Sequence, residues 1–189
     1  MPCENVETSS PQTPSTKIDL RLIPLEEGTN LRRRVLRPGI PGWEFPFHPA
    51  SDFFHMGAFR CGQLVSVVSF LIEPMKDDSK DEGRTWRLRG MATELNQQRR
   101  GIGGQLLEAG LAEVMARNGT RVWCYGRTSV EAVYLGNGFR ALGEAFDIPG
   151  VGLHALYVRD LMRPYPRRTH QKITDHPQLS AATRTGRCP

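Results

Sequence analysis

Gln98-Arg99-Arg100-Gly101-Ile102-Gly103-Gly104-Gln105-Leu106-Leu107 is the stretch on which the reading of this chain turns. Its glycines fall where a strand gives way to an amphipathic helix, so backbone N–H groups unobstructed by side chains can converge on an anion at the helix N-terminus. Behind them Ile102, Leu106, Leu107, Leu111, Val114 and Met115 recur at three- and four-residue spacing, which predicts a helix with one apolar face. Asn118-Gly119 supplies its stop signal. Ahead of them Arg84 to Thr93 alternates, with Trp86, Leu88 and Gly90 on one face and Arg87 and Arg89 on the other, the pattern of a strand with one buried side. The glycines therefore sit at a strand-to-helix junction, and a pyrophosphate is the anion such a cradle suits.

Two familiar nucleotide patterns do not fit. A P-loop requires a lysine after its last glycine, and none follows Gly104; a dinucleotide fingerprint counted from Gly101 requires glycine where Leu106 stands.

Gln98-Arg99-Arg100-Gly101-Ile102-Gly103 resembles the Gln/Arg-x-x-Gly-x-Gly/Ala signature of the GNAT superfamily of acetyl-CoA-dependent N-acetyltransferases, and Leu88 to Thr93 resembles its fourth strand. About thirty residues on, Tyr134-Leu135-Gly136-Asn137-Gly138-Phe139 is similar to the superfamily's Tyr-x-x-x-Gly-Phe element. The resemblance covers roughly Lys17 to Met162. It implies an α/β fold with a mixed, mostly antiparallel central sheet flanked by helices.

Composition agrees with one compact domain: of 189 residues, 39% are hydrophobic and 24% charged, ordinary for a globular chain able to bury a core. No stretch is apolar enough to span a membrane and Met1 to Asn5 lacks signal-peptide order, so a cytoplasmic location is expected. Cys3, Cys61, Cys124 and Cys188 are scattered, which suggests neither a disulfide framework nor a metal site; Cys61 and Cys124 are expected in strands. The formal net charge of +5 resides wholly beyond Met162, where Arg163, Arg167, Arg168, Lys172, Arg184 and Arg187 face only Asp175. Residues 163–189 are accordingly expected to be a basic, disordered tail, and residues 1–16, rich in Ser, Thr and Pro, a disordered lead-in to a domain at 17–162. A solvated extension is favoured over a nucleic-acid role for the basic tail.

Between the tails the expected order is a strand at 17–23, a helix at 27–36, a hairpin of strands 53–60 and 63–72 across Cys61-Gly62, the strand and helix around the glycines, a strand at 121–125, a short helix at 129–135, and closing strands at 139–148 and 152–160. The strand at 63–72 is apolar on both faces, as a central strand covered on both sides would be.

By resemblance, the fourth strand splays from the fifth, and backbone groups of Met91, Ala92 and Thr93 bind the pantetheine arm and thioester of acetyl-CoA. Gly90 would ease the local distortion. Gln98, Arg99, Arg100, Gly101, Gly103 and Gly104 hold the pyrophosphate, since a side chain at Gly101 or Gly103 would stand between phosphate and backbone. Arg99 and Arg100 are equally readable as solvated. Arg127 sits where many relatives contact the cofactor, with a surface arginine as the alternative. Tyr134 is expected to protonate the departing thiolate; the competing reading is a ring that packs a short helix against the sheet. For a general base, many relatives place a glutamate on the fourth strand, and Arg87 to Met91 contains none. Glu73, Glu94 and His154 remain, of which His154, opening the last strand, is the choice. No metal is expected.

The segment Arg37 to Phe54, with Trp43, Phe45, Phe47 and His48 among four prolines, is expected to shape the acceptor site, as a lid or as plain loop packing. The implied function is direct transfer of an acetyl group to an amine, a small molecule or an amino acid. The alternative is a non-catalytic acyl-CoA-binding sensor or scaffold. A homodimer is compatible with the resemblance.

Overall fold

The computed structural model describes residues 17–40, 42, 43, 45, 46, 52–76 and 84–161. Both expected tails lie outside them. The elements are β1 (Ile18–Leu22), α1 (Leu25–Leu36), β2 (Phe53–Arg60), β3 (Gln63–Ile72), β4 (Thr85–Thr93), α2 (Ile102–Ala116), β5 (Arg121–Arg127), α3 (Glu131–Gly136), β6 (Arg140–Ile148) and β7 (Gly152–Asp160). They form one seven-stranded sheet in the order β1-β2-β3-β4-β5-β7-β6. Every neighbouring pair is antiparallel except β4 and β5. The expected mixed, mostly antiparallel α/β architecture is what the chain adopts.

Apolar side chains leave the sheet on both faces. Phe70, Trp86, Leu106, Leu107, Leu111, Val114, Val122 and Tyr157 are buried between the sheet and α2 and α3. Leu31, Phe59, Val67 and Ala92 form a smaller cluster on the α1 side. β3 sends Val68 and Phe70 into the first and Val67 into the second, as a central strand with apolar residues on both sides must. The helix α2 stops where Asn118-Gly119 predicts: Asn118 takes φ +67° and the Gly119 N–H donates to the Val114 carbonyl at 2.8 Å, a left-handed closure of the last turn.

Some boundaries differ. The first helix begins at Leu25, with Glu26 and Glu27 in its first turn, because Pro24 enters at φ −68° and favours an earlier start. Cys61 is a turn residue at φ +50° between β2 and β3 and not a strand residue, whereas Cys124 lies buried in β5.

Two irregularities of β4 create the site. Val67 pairs with Ala92 and Ser69 with Arg89, so Gly90 and Met91 together face the one residue Val68. This bulge, with Gly90 at φ +58°, turns Met91 toward the α2 side and Ala92 toward α1. In addition, β4 pairs with β5 only from Thr85 to Arg87. From Leu88 onward its β5-facing edge has no strand partner among the described residues.

Candidate active site

The glycine stretch lies at the open end of that gap. Arg99 and Gly101 both take left-handed conformations, at φ +59° and +76°, and Gly101 starts α2 without a side-chain cap. The first turn of α2 carries no acidic residue and no side-chain cap, so nothing in that turn offsets its unpaired N–H groups and the positive end of the helix dipole. Gln98 folds back and donates from Nε2 to the Thr93 carbonyl at 3.0 Å, tying the loop to the end of β4. A Cβ on Gly103 would come 3.1 Å from Met91 Cε and 3.3 Å from Thr93 Oγ1, so glycine there keeps the helix start close to the strand. Met91, Ala92, Thr93, Gln98, Arg99, Gly101, Gly103 and Gly104 line one cleft of about 280 Å³. Arg100 is exposed beside it and is not among the lining residues.

A second, larger cavity of about 510 Å³ lies on the other side of Met91. Met91, Gln98 and Tyr134 belong to the walls of both, so the two spaces meet at Met91 and Tyr134. Trp43, Phe45 and Pro46 from the aromatic segment, Arg127 from β5 and His154 from β7 line the larger one. Phe47 and His48 lie outside the described residues. Arg127 thus borders the larger cavity and not the glycine cleft, its Nη2 donating to the Leu36 carbonyl at 3.3 Å.

Tyr134 both packs and lines. Its ring stacks on Tyr157 with centroids 4.7 Å apart, and Gly126 leaves room for it, since a Cβ there would clash with the ring edge at Cε2 and Cζ. Burial holds the phenol pKa above its ordinary value of 10.0, and a hydrogen bond shared with the Cys124 thiol adds to this. The buried Cys124 thiol is itself pushed up to about 12. Tyr134 therefore keeps its proton at neutral pH.

The three candidate bases separate clearly. Glu73 is held by Arg87 at 2.6 Å and Glu94 pairs with Arg34. Neither lines the glycine cleft or the larger cavity. His154 is 6% exposed and does border the larger one. Its Nδ1 lies 2.6 Å from the Gly152 carbonyl, a contact in which Nδ1 must donate, so the neutral tautomer that fits it carries its lone pair on Nε2. Arg127 and His154 are direct cross-strand partners.

Arg37, Arg87 and Arg89, which sequence reasoning gave no role, also line the larger cavity. The alternation of β4 was the available signal for two of them: Arg87 and Arg89 occupy the face opposite Trp86 and Leu88. Arg87 lies 4.6 Å over the Trp123 ring, and Arg89 lies 5.6 Å from the Phe45 centroid.

Residues 25–139 match the family model described as Acetyltransferase (GNAT) family. The chain is 32% identical over 146 residues, 76% of its own length and 97% of the relative's, to a protein of Bacillus subtilis (strain 168) named uncharacterized N-acetyltransferase YitI. Among solved structures, Escherichia coli ElaA superposes with a TM-score of 0.62 at 15% identity, over 76% of this chain and all of that one. An acyl-CoA N-acyltransferase from Pseudomonas aeruginosa gives 0.58 at 19% identity, over 76% and 99%. These superpositions show a shared overall fold.

Proposed function

The chain belongs to the GNAT acetyltransferase family and is an acyltransferase, and from that premise we propose that it moves an acetyl group from acetyl-CoA directly to the nitrogen of a small amine or amino acid. The observation that supports this best is the meeting of two spaces at Met91 and Tyr134: an anion-suited cleft on one side and an aromatic cavity holding His154 on the other.

Acetyl-CoA supplies the acyl group as an activated thioester. The N–H groups of the α2 first turn and of the left-handed loop from Arg99 to Gly101 suit its pyrophosphate, with the helix dipole adding favourable field. The unpaired edge of β4 from Met91 to Thr93 offers backbone donors to the amide arm and to the thioester oxygen, where negative charge develops during transfer. An acceptor ammonium, with a pKa of about 10.4, must lose a proton before it attacks. His154 Nε2 is assigned to take that proton, and the Tyr134 phenol, neutral at working pH, to supply one to the sulfur as the C–S bond breaks.

The test is CoA release on mixing the purified protein with acetyl-CoA and a panel of amines, amino acids and polyamines. Acceptor-dependent release is the expected result. Tight acetyl-CoA binding with no release on any member would replace transfer with the sensor reading. His154→Gln should lower turnover about a hundredfold while leaving the KM for acetyl-CoA unchanged; full activity would remove His154 as the base.

A further inference from the structure

We propose that the acceptor carries a carboxylate, bound by Arg89 together with Arg37 and Arg127 inside the larger cavity. This rests on the transfer reading above and narrows its substrate class.

The described wall of that cavity contains four arginines, at 37, 87, 89 and 127, and neither an aspartate nor a glutamate. Arg87 is neutralised by Glu73 from behind the wall, at 2.6 Å. The other three have no carboxylate within ion-pair distance among the described residues. Arg37 Nη1 and Arg127 Nη2 both donate to the Leu36 carbonyl, at 2.8 and 3.3 Å, so two like charges converge on one neutral oxygen. Arg89 is half-buried against Phe45, and burial together with the Arg87 charge, only partly opposed by Glu73, lowers its pKa from the ordinary guanidinium value. Cations gathered in a shielded space repel one another more strongly than in water, and an anion between them removes that cost.

The anion of the donor already has a suitable seat, at the α2 N-terminus across the Met91 and Tyr134 junction. That leaves the cavity arginines for the acceptor. Guanidinium forks match the planar, two-oxygen edge of a carboxylate. Within about 510 Å³ a compact carboxylate leaves the Trp43 and Phe45 walls to an organic body, while the amine reaches His154.

The experiment compares matched acceptors: phenylalanine with phenethylamine, and phosphoethanolamine with ethanolamine. Phenylalanine should exceed phenethylamine by about tenfold or more in kcat/KM, the scale of a charge-assisted hydrogen-bonded pair. Arg89→Met should erase that preference through the acceptor KM, Arg89→Lys should restore part of it, and the KM for acetyl-CoA should stay constant. Equal values for phenylalanine and phenethylamine, or a preference undiminished in both Arg89→Met and Arg37→Met, overturn the proposal. Preference for the phosphate alone overturns the carboxylate assignment, and a raised KM for acetyl-CoA in Arg89→Met transfers the arginine to the donor. If no amine is acetylated the transfer reading falls by itself, and calorimetry with phenylpropionate and its amide then decides. Arg89-dependent binding of the acid alone supports the arginine site, and equal binding, or none, overturns it.

Discussion

Arg32 on α1 donates from Nε to the carbonyl of Gly90 on β4, 3.0 Å away, and so ties the helix to the bulge that sets the backbone of Met91. The side chain is fully buried; its Nη2 donates to Ser69 Oγ at 2.6 Å, and Nη1 has no hydrogen-bond partner. Burial lowers its pKa to about 10 from 12.5, so charging it inside the fold costs about 3 kcal/mol. Replacing it by methionine would relieve that cost and orphan the Gly90 carbonyl, at about 1–3 kcal/mol, while Ser69 Oγ keeps its contact with His55 Nδ1 at 2.8 Å. The terms nearly offset. Arg32→Met should therefore change the denaturation midpoint little but lower kcat about tenfold or more, because the bulge loses its tether. Unaltered kcat would show that the tether does not position the donor edge.

Gly103 lies against the methyl of Met91 and the hydroxyl of Thr93. Gly103→Val places branched bulk where α2 meets β4 and covers N–H groups of the first turn. The dissociation constant of acetyl-CoA, measured by calorimetry, should rise by about a hundredfold. Unchanged affinity would mean that the donor does not use this cleft.

Tyr134→Phe removes one oxygen and keeps the stack on Tyr157. Turnover should fall by about ten- to a hundredfold, less than a full acid-catalytic effect, since a thiolate with a pKa near 8.5 can depart unaided. Affinity for acetyl-CoA should persist. Because the phenol pKa is raised by burial, the wild-type rate should show no alkaline decline from this group below about pH 10. Equal rates for the two proteins at every pH would remove the acid role.

His55 gives the fold an acid sensitivity. Burial, reinforced by the Arg32 charge and opposed by Glu26, pushes its pKa down to about 4 from 6.5. The unfolded chain thus binds a proton that the folded one refuses, and stability, full above about pH 6.5, declines as pH falls toward about 4, by about 3 kcal/mol at most. Urea melts of His55→Gln should show a smaller loss between about pH 7 and 4 than wild type. An identical loss would mean that His55 is not the source.

What could be read from the chain is what local pattern encodes. The apolar period from Ile102 to Met115, the stop at Asn118-Gly119 and the two-faced β3 each report burial within one element, and each appears as expected. What could not be read depends on distant partners. Ser69 and Gly90 come from strands far along the chain, so nothing near Arg32 distinguishes a buried guanidinium from a solvated one in a helix rich in arginine. The short β4–β5 ladder and the insertion of β7 between β5 and β6 are pairings, which alternation within a strand does not specify. Arg87 and Arg89 were legible as a face, yet that the face borders a cavity needed α1 and the segment carrying Trp43 and Phe45 in place.

The two ends of α2 are unequally finished. Asn118 and Gly119 seal the last turn from within the chain, while the first turn at Gly101 has no side chain to close it. Fraying should therefore run from one direction only, and the turn most prone to open is the one that an anionic ligand would staple shut. Part of this helix's stability is on loan from whatever binds there, so ligand occupancy and resistance to unfolding at Gly101 should rise and fall together.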